Sequence, residues 1–355
     1  MALKGERDGD VVRVGADARQ RFHDSRGYGY PTSGNEIALA PVEAAHLLFH
    51  GGLEAVRWDG RRLGFREFVA AASEGAFVLR YLAYADLRSR GFYLSPARDP
   101  WIADPPGGDA DFVVYPRGKG PGDGEVAYDL RVVGERTDLP VAALEPGVLA
   151  VVDEESEITY FEVAEPGIDG TSARELPTDV DADLLADRVV CWEPPASLYE
   201  RTFYGQPLDG RECERPTLQC SLVEAAYLAE RDAVALDPAT VRARGRDVEG
   251  ERFDRRLRVY AQLRERGVVP KTGYKFGADF RTYSAVDSVD DLGHSELLVR
   301  VLPADHVFEP RDLALDVRMA HGVRKTMVFA LVGGDGADGA DDVAIAWRSV
   351  ERLTP

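Results

Sequence analysis

Lysine is scarce in this chain. Only Lys4, Lys119, Lys271, Lys275 and Lys325 occur, so arginine supplies 38 of the 43 basic residues. Cysteine is scarcer still: Cys191, Cys213 and Cys220 are odd in number and fit no tight metal-ligand pattern, so they read as reduced structural thiols. Six scattered histidines lack metal-site spacing, and neither a metal nor another cofactor is expected. No apolar run approaches the ~18 residues needed to span a bilayer, and residues 1–10 lack the apolar stretch of a signal peptide. No membrane partner is expected, and the expected location is cytoplasmic.

What is present is acid. The net charge is -19, and a surface this acidic, with arginine in place of lysine, suits a salt-rich cytoplasm where screening makes large net charge tolerable. Taken alone, that charge argues against nucleic acid as a partner. The 45% apolar content builds real cores and excludes a wholly disordered chain. A length of 355 residues predicts two or three compact units.

Internal repetition decides the architecture. Tyr84-Ala-Asp-Leu-Arg-Ser-Arg-Gly91 returns as Tyr260-Ala-Gln-Leu-Arg-Glu-Arg-Gly267, six of eight residues identical at an offset of 176. Val42-Glu-Ala-Ala-His-Leu47 matches Val223-Glu-Ala-Ala-Tyr-Leu228, Tyr28-Gly-Tyr-Pro31 matches Tyr204-Gly-Gln-Pro207, and Asp111–Tyr115 parallels Asp279–Tyr283. The chain is therefore read as an α/β (α+β) tandem duplication. Each repeat has a small mixed α/β N-terminal subdomain (residues 1–78; 187–252) and a mixed-sheet C-terminal subdomain (79–166; 253–355). The polar, aperiodic residues 167–186 read as a linker.

The richest segment is Lys271–Tyr283. Alternation predicts one extended strand with Phe276, Ala278, Phe280 and Thr282 on one side and Lys275, Asp279, Arg281 and Tyr283 on the other. His294–Leu302 reads as a second strand and Arg311–Arg324 as a helix, with Leu315, Met319 and Val323 as its apolar line and Arg311, Arg318 and Lys325 along one stripe. Strands are expected at Thr326–Val332 and Val343–Trp347. Singly, a tyrosine ending a strand is packing, a histidine opening one is a surface or capping residue, and a lysine after a helix is a dipole partner. Together, Tyr274–Tyr283, His294–Val299 and Arg318–Lys325 resemble the catalytic domain of the archaeal two-repeat tRNA-intron (tRNA-splicing) endonucleases, whose Tyr, His and Lys match Tyr283, His294 and Lys325.

That resemblance implies metal-free cleavage of precursor tRNA at bulge–helix–bulge exon–intron junctions. The neighbouring 2′-hydroxyl attacks, leaving a 2′,3′-cyclic phosphate and a 5′-hydroxyl. The residue types suit a base, an acid and a charge-stabilising cation, assigned by family to Tyr283, His294 and Lys325. A phenol ionises near ~10, so such a base needs cations nearby or serves by positioning, and residue type alone allows the tyrosine and histidine roles to be exchanged. Lys271, Lys275, Arg281, Arg318, Arg324 and Lys325 concentrate cations locally. The resemblance makes Arg318 a clamp for a flipped bulge base and Arg348 a second candidate; Lys275, Arg281 and Arg324 complete the expected RNA-binding set.

The first repeat keeps Tyr115 but has Gly124–Tyr128 where histidine is needed, and Gly147 is expected near the lysine position. The resemblance implies a homodimer with two active and two inactive units, in which an acidic loop docks on the partner chain. Asp153, Glu154 and Glu155 are the candidates for that loop. Two rival readings differ in class. One is an inactive structural or RNA-chaperoning partner, which the intact trio disfavours; the other is a metal-dependent nuclease, which chelator would inactivate.

Overall fold

The computed structural model describes residues 3–172, 175–208, 217–333 and 344–355. Cys213, residues 334–342 and the expected strand start at Val343 lie outside the described residues. The chain forms two compact units, one of residues 1–163 with 307–313 and 352–355, the other of residues 164–306 with 314–351.

In the first unit, a six-stranded mixed sheet is ordered Tyr30–Pro31, Ile37–Leu39, Val11–Val14, Leu3–Asp8, Leu53–Trp58 and Arg61–Leu63. Helix Pro41–Phe49 buries Val42, Ala44, Ala45 and Leu47 in the same core as these strands. Helix Phe77–Ser89 leads to five further strands in the order Leu94–Pro96, Phe112–Val114, Tyr128–Gly134, Gly147–Val152 and Ile158–Ala164. Only Tyr128–Gly134 and Gly147–Val152 run parallel among these five.

The second unit repeats the plan. A four-stranded antiparallel sheet precedes helix Leu222–Ala229, which starts at the expected Val-Glu-Ala-Ala segment. Ser221 caps it: Glu224 N donates to Ser221 Oγ, while the Glu224 carboxylate reaches back to Ser221 N. Helix Arg252–Glu265 then leads to strands Val269–Thr272, Phe280–Tyr283, Leu297–Pro303, Thr326–Val332 and Ile345–Leu353. Again the third and fourth run parallel, here joined through helix Pro310–Gly322. The expected mixed α/β class is the one observed. Residues 167–186, read as a linker, include strand Ala182–Leu184, and Gly170 N, Thr171 N and Ser172 N donate to Arg266, Ser284 and Gly267 carbonyls.

Two buried nodes recur in both repeats. Asp111 accepts from Val132 N (2.7 Å) and pairs with Arg80 (2.5 Å); Asp279 accepts from Val301 N (2.8 Å) and pairs with Arg256 (3.0 Å). Glu43 accepts from Gly29 N and Ala40 N, and Glu224 from Gly205 N and Ser221 N. The third partner differs. Trp101 Nε1 donates to Glu43 at 3.0 Å, whereas Lys271 Nζ pairs with Glu224 at 2.6 Å.

That difference divides their acidities. Burial, against the three N–H donors, pushes the Glu43 carboxyl up to about 7. Burial would raise Glu224 as well, but Lys271 beside it holds that carboxyl below its ordinary value. Lys271 belongs to the cations that the sequence concentrates around the catalytic segment. It is largely buried, donating also to the Phe203 and Gly205 carbonyls, because the adjacent buried carboxylate demands a counter-charge. Among the described residues Cys191 and Cys220 are free buried thiols, and no helix is long and apolar enough to cross a membrane.

Candidate active site

The segment Lys271–Tyr283 is not one strand. It is a hairpin, in which Lys271 pairs with Arg281 and Val269 with Tyr283. A 3-10 turn, Tyr274–Phe276, joins the strands between Gly273 and Gly277, the latter at φ +69°. The apolar alternation therefore spans a turn rather than a sheet face. Asp279, expected beside Tyr283, is committed to the arginine node.

A backbone relay brings the trio to one end of the sheet. Glu296 N donates to Thr282 O at 3.0 Å, and Thr326 N donates to Glu296 O at 3.2 Å. Tyr283 follows Thr282, His294 lies two before Glu296, and Lys325 precedes Thr326. Three neighbouring strands thus bring the three candidates to the same end of the sheet.

The Tyr283 ring is 7% exposed and meets Phe203 edge-on, with centroids 5.8 Å apart. His294 is exposed, just ahead of strand Leu297–Pro303. Lys325 donates to the Ser295 carbonyl and lies 5.9 Å from the Phe276 ring centroid. Burial, then the nearby Arg281 guanidinium, lower the Lys325 ammonium from its ordinary range, against the pull of Glu296.

Lys325 does not continue the helical stripe of Arg311 and Arg318. The helix ends at Gly322, Arg324 takes the left-handed conformation at φ +57°, Arg324 N donates to His321 O and Lys325 N to Ala320 O. This is a Schellman-type stop, with arginine where glycine is usual. It turns the chain so that Lys325 opens the next strand. The apolar line is also corrected: Leu315, Met319 and Val323 are exposed, and Leu313, Val317 and Ala320 form the buried side. The spacing of four found a line on the wrong side of the helix.

Arg318 is exposed on that helix, and Lys275 is exposed on the 3-10 turn. Arg348 is held by Glu165 at 3.1 Å and by the Trp347 carbonyl. Tyr274, beside Lys275 on the same turn, is 87% exposed.

The first repeat presents a different set. Phe112 and Phe280 stand opposite Leu130 and Val299, which in turn pair with Val148 and Val328. Counting back along these registers places Glu125 at the His294 position and Glu145, not Gly147, at the Lys325 position. The crossover shrinks to the 3-10 turn Val141–Ala143, which shifts the expected alignment by two residues. Tyr115 remains, buried and donating to Ser95 Oγ at 3.0 Å, and Glu125 pairs with Lys119 at 3.0 Å. The acidic loop is the turn after strand Gly147–Val152, where Asp153 Oδ1 accepts from Glu155 N and Glu157 N and Glu154 pairs with Arg136.

The family descriptor for the tRNA intron endonuclease catalytic C-terminal domain matches residues 253–342. The N-terminal domain descriptor matches residues 3–69 and again 180–241. A tRNA-splicing endonuclease of Halobacterium salinarum is 59% identical, covering 99% of this chain and 100% of the relative. Another, of Haloferax volcanii, is 55% identical with the same coverage. One from Methanosarcina acetivorans is 36% identical over 96% of this chain and 98% of its own length. The halophilic sources accord with the acidic, lysine-poor composition. With end-to-end identity of this order and both of the family's domains in place, the chain belongs to the tRNA-splicing endonucleases.

Proposed function

We propose that the second-repeat site cleaves precursor tRNA at bulge–helix–bulge junctions by transesterification, without metal. Tyr283 takes the 2′-hydroxyl proton, and the 2′-oxygen attacks phosphorus. His294 protonates the departing 5′-oxygen, and Lys325 stabilises charge on the phosphorane-like transition state. The phosphorus–5′-oxygen bond breaks, leaving a 2′,3′-cyclic phosphate and a 5′-hydroxyl. RNA supplies its own nucleophile, so holding it in line with the leaving oxygen is the main geometric task.

The observation that supports this reading is the backbone relay through Glu296, which brings the chain at Tyr283, His294 and Lys325 to one end of three adjacent strands. Arg318, Lys275, Arg324 and, more weakly, the ion-paired Arg348 are the proposed RNA-affinity contacts, with Tyr274 as a stacking surface and Arg281 facing the scissile phosphate. Asp153, Glu154 and Glu155 are proposed to dock on a second copy in a homodimer. Incubation with a bulge–helix–bulge RNA in excess chelator tests the chemistry. Cyclic phosphate and 5′-hydroxyl ends are expected; loss of cleavage with chelator would require a metal-dependent mechanism.

A further inference from the structure

Two arginines that serve the fold recur in both repeats of this duplicated chain. Arg80 and Arg256 pair with Asp111 and Asp279, and Arg88 and Arg264 are counterparts on helices Phe77–Ser89 and Arg252–Glu265. Arg281 breaks that pattern. By the strand register its first-repeat counterpart is Val113, a residue only 2% exposed. The arginine is thus missing from the same repeat that lacks the histidine and lysine.

Its surroundings point to an anion. Arg281 alternates with Phe280 and Thr282 and so shares a strand face with Tyr283, its guanidinium carbon 5.8 Å from that ring's centroid. Its side chain is part-buried, and its Nε, like those of Arg255 and Arg256, makes no hydrogen bond among the described residues. The oxygens of a phosphate are the acceptors that a planar guanidinium fork suits best. The guanidinium is also close enough to Lys325 to oppose that ammonium's charge. Two cations held together against their repulsion beside the Tyr283 ring form a site that an oxyanion completes.

We propose that Arg281 is a further catalytic residue, donating with Lys325 to the non-bridging oxygens of the scissile phosphate as negative charge grows on them. This rests on the reaction proposed above and assigns it a second cation. No bond to Arg281 forms or breaks; it acts by hydrogen bonding and charge.

The test is single-turnover cleavage of a bulge–helix–bulge RNA by Arg281→Ala and Arg281→Lys, with RNA affinity measured separately. Arg281→Ala should cleave about 100-fold more slowly, the usual loss for one removed oxyanion donor, while its Kd for the RNA changes less than about 5-fold. Millimolar guanidinium should restore at least a tenth of the lost rate to Arg281→Ala and nothing to Lys325→Ala. Arg281→Lys should fall between. Near-wild-type cleavage by Arg281→Ala, a loss confined to RNA affinity, or failure of guanidinium to rescue would each overturn the assignment. If the wild-type chain cleaves but Lys325→Ala and His294→Ala cleave equally well, the proposed trio fails instead.

Discussion

Lys325 donates its ammonium to the backbone carbonyl of Ser295, the residue that follows His294. One strand start is thereby tied to the next, and the cation cannot move without disturbing the imidazole's own backbone. Burial, then Arg281, lower the Lys325 ammonium, while Glu296 opposes them.

The pH consequence follows from that direction. The folded chain binds this proton less tightly than the unfolded chain, so the Lys325 contribution to stability improves as pH rises through its folded value, whereas cleavage declines there. The alkaline limb of the cleavage profile should begin below the range of an ordinary lysine. Glu296→Gln, which removes the one opposing carboxylate, should move that limb lower still; a limb unmoved by Glu296→Gln and Lys325→Arg alike would deny Lys325 a role in it.

Lys271→Met should destabilise the second unit by about 3–5 kcal/mol, because it leaves Glu224 buried without its counter-charge. Glu224 is held below its ordinary value, so the stability of the pair is present above the unfolded carboxyl's pKa and is lost as pH falls through the folded one. Urea unfolding of Lys271→Met and of Lys271→Met with Glu224→Leu checks this. The single change should be the worse of the two.

The first-repeat counterpart carries the opposite sign. With Glu43 at about 7, the folded chain keeps a proton that the unfolded chain releases near 4.5, so stability falls as pH rises from about 4.5 to 7. Trp101→Phe removes one donor to that carboxylate and should destabilise by about 1–3 kcal/mol above pH 7, and by less at pH 5. Melting temperatures at the two pH values decide it, and an equal loss at both would contradict the account.

Arg324 holds a left-handed conformation that glycine adopts without penalty. Arg324→Gly should leave stability unchanged or raise it by up to about 1 kcal/mol, while RNA binding weakens and its salt slope falls by about one. A clear loss of stability would mean that the arginine side chain supports the helix end rather than the RNA.

Much of this was legible in the sequence, and the reasons are local. Tyr84–Gly91 and Tyr260–Gly267 betray the duplication because a buried tyrosine and a helix-ending glycine tolerate few substitutes. Periodicity failed where backbone geometry overrides it. Gly273 and Gly277 fold the expected long strand into a hairpin, and the left-handed Arg324 ends the helix before Lys325. Lys271 was misread because its partner Glu224 lies 47 residues away in sequence. The Glu145 position needed the strand register, which no spacing in a shortened crossover supplies.

The central claim is that one imidazole drives departure of the 5′-oxygen at a site built by the second repeat alone. Single-turnover cleavage by His294→Ala, with RNA affinity measured in parallel and Glu145→Ala as the first-repeat control, tests it most directly. The account predicts a loss of about 100-fold or more for His294→Ala with binding retained, and wild-type rates for Glu145→Ala. Near-normal turnover by His294→Ala, or a comparable collapse in Glu145→Ala, would contradict it.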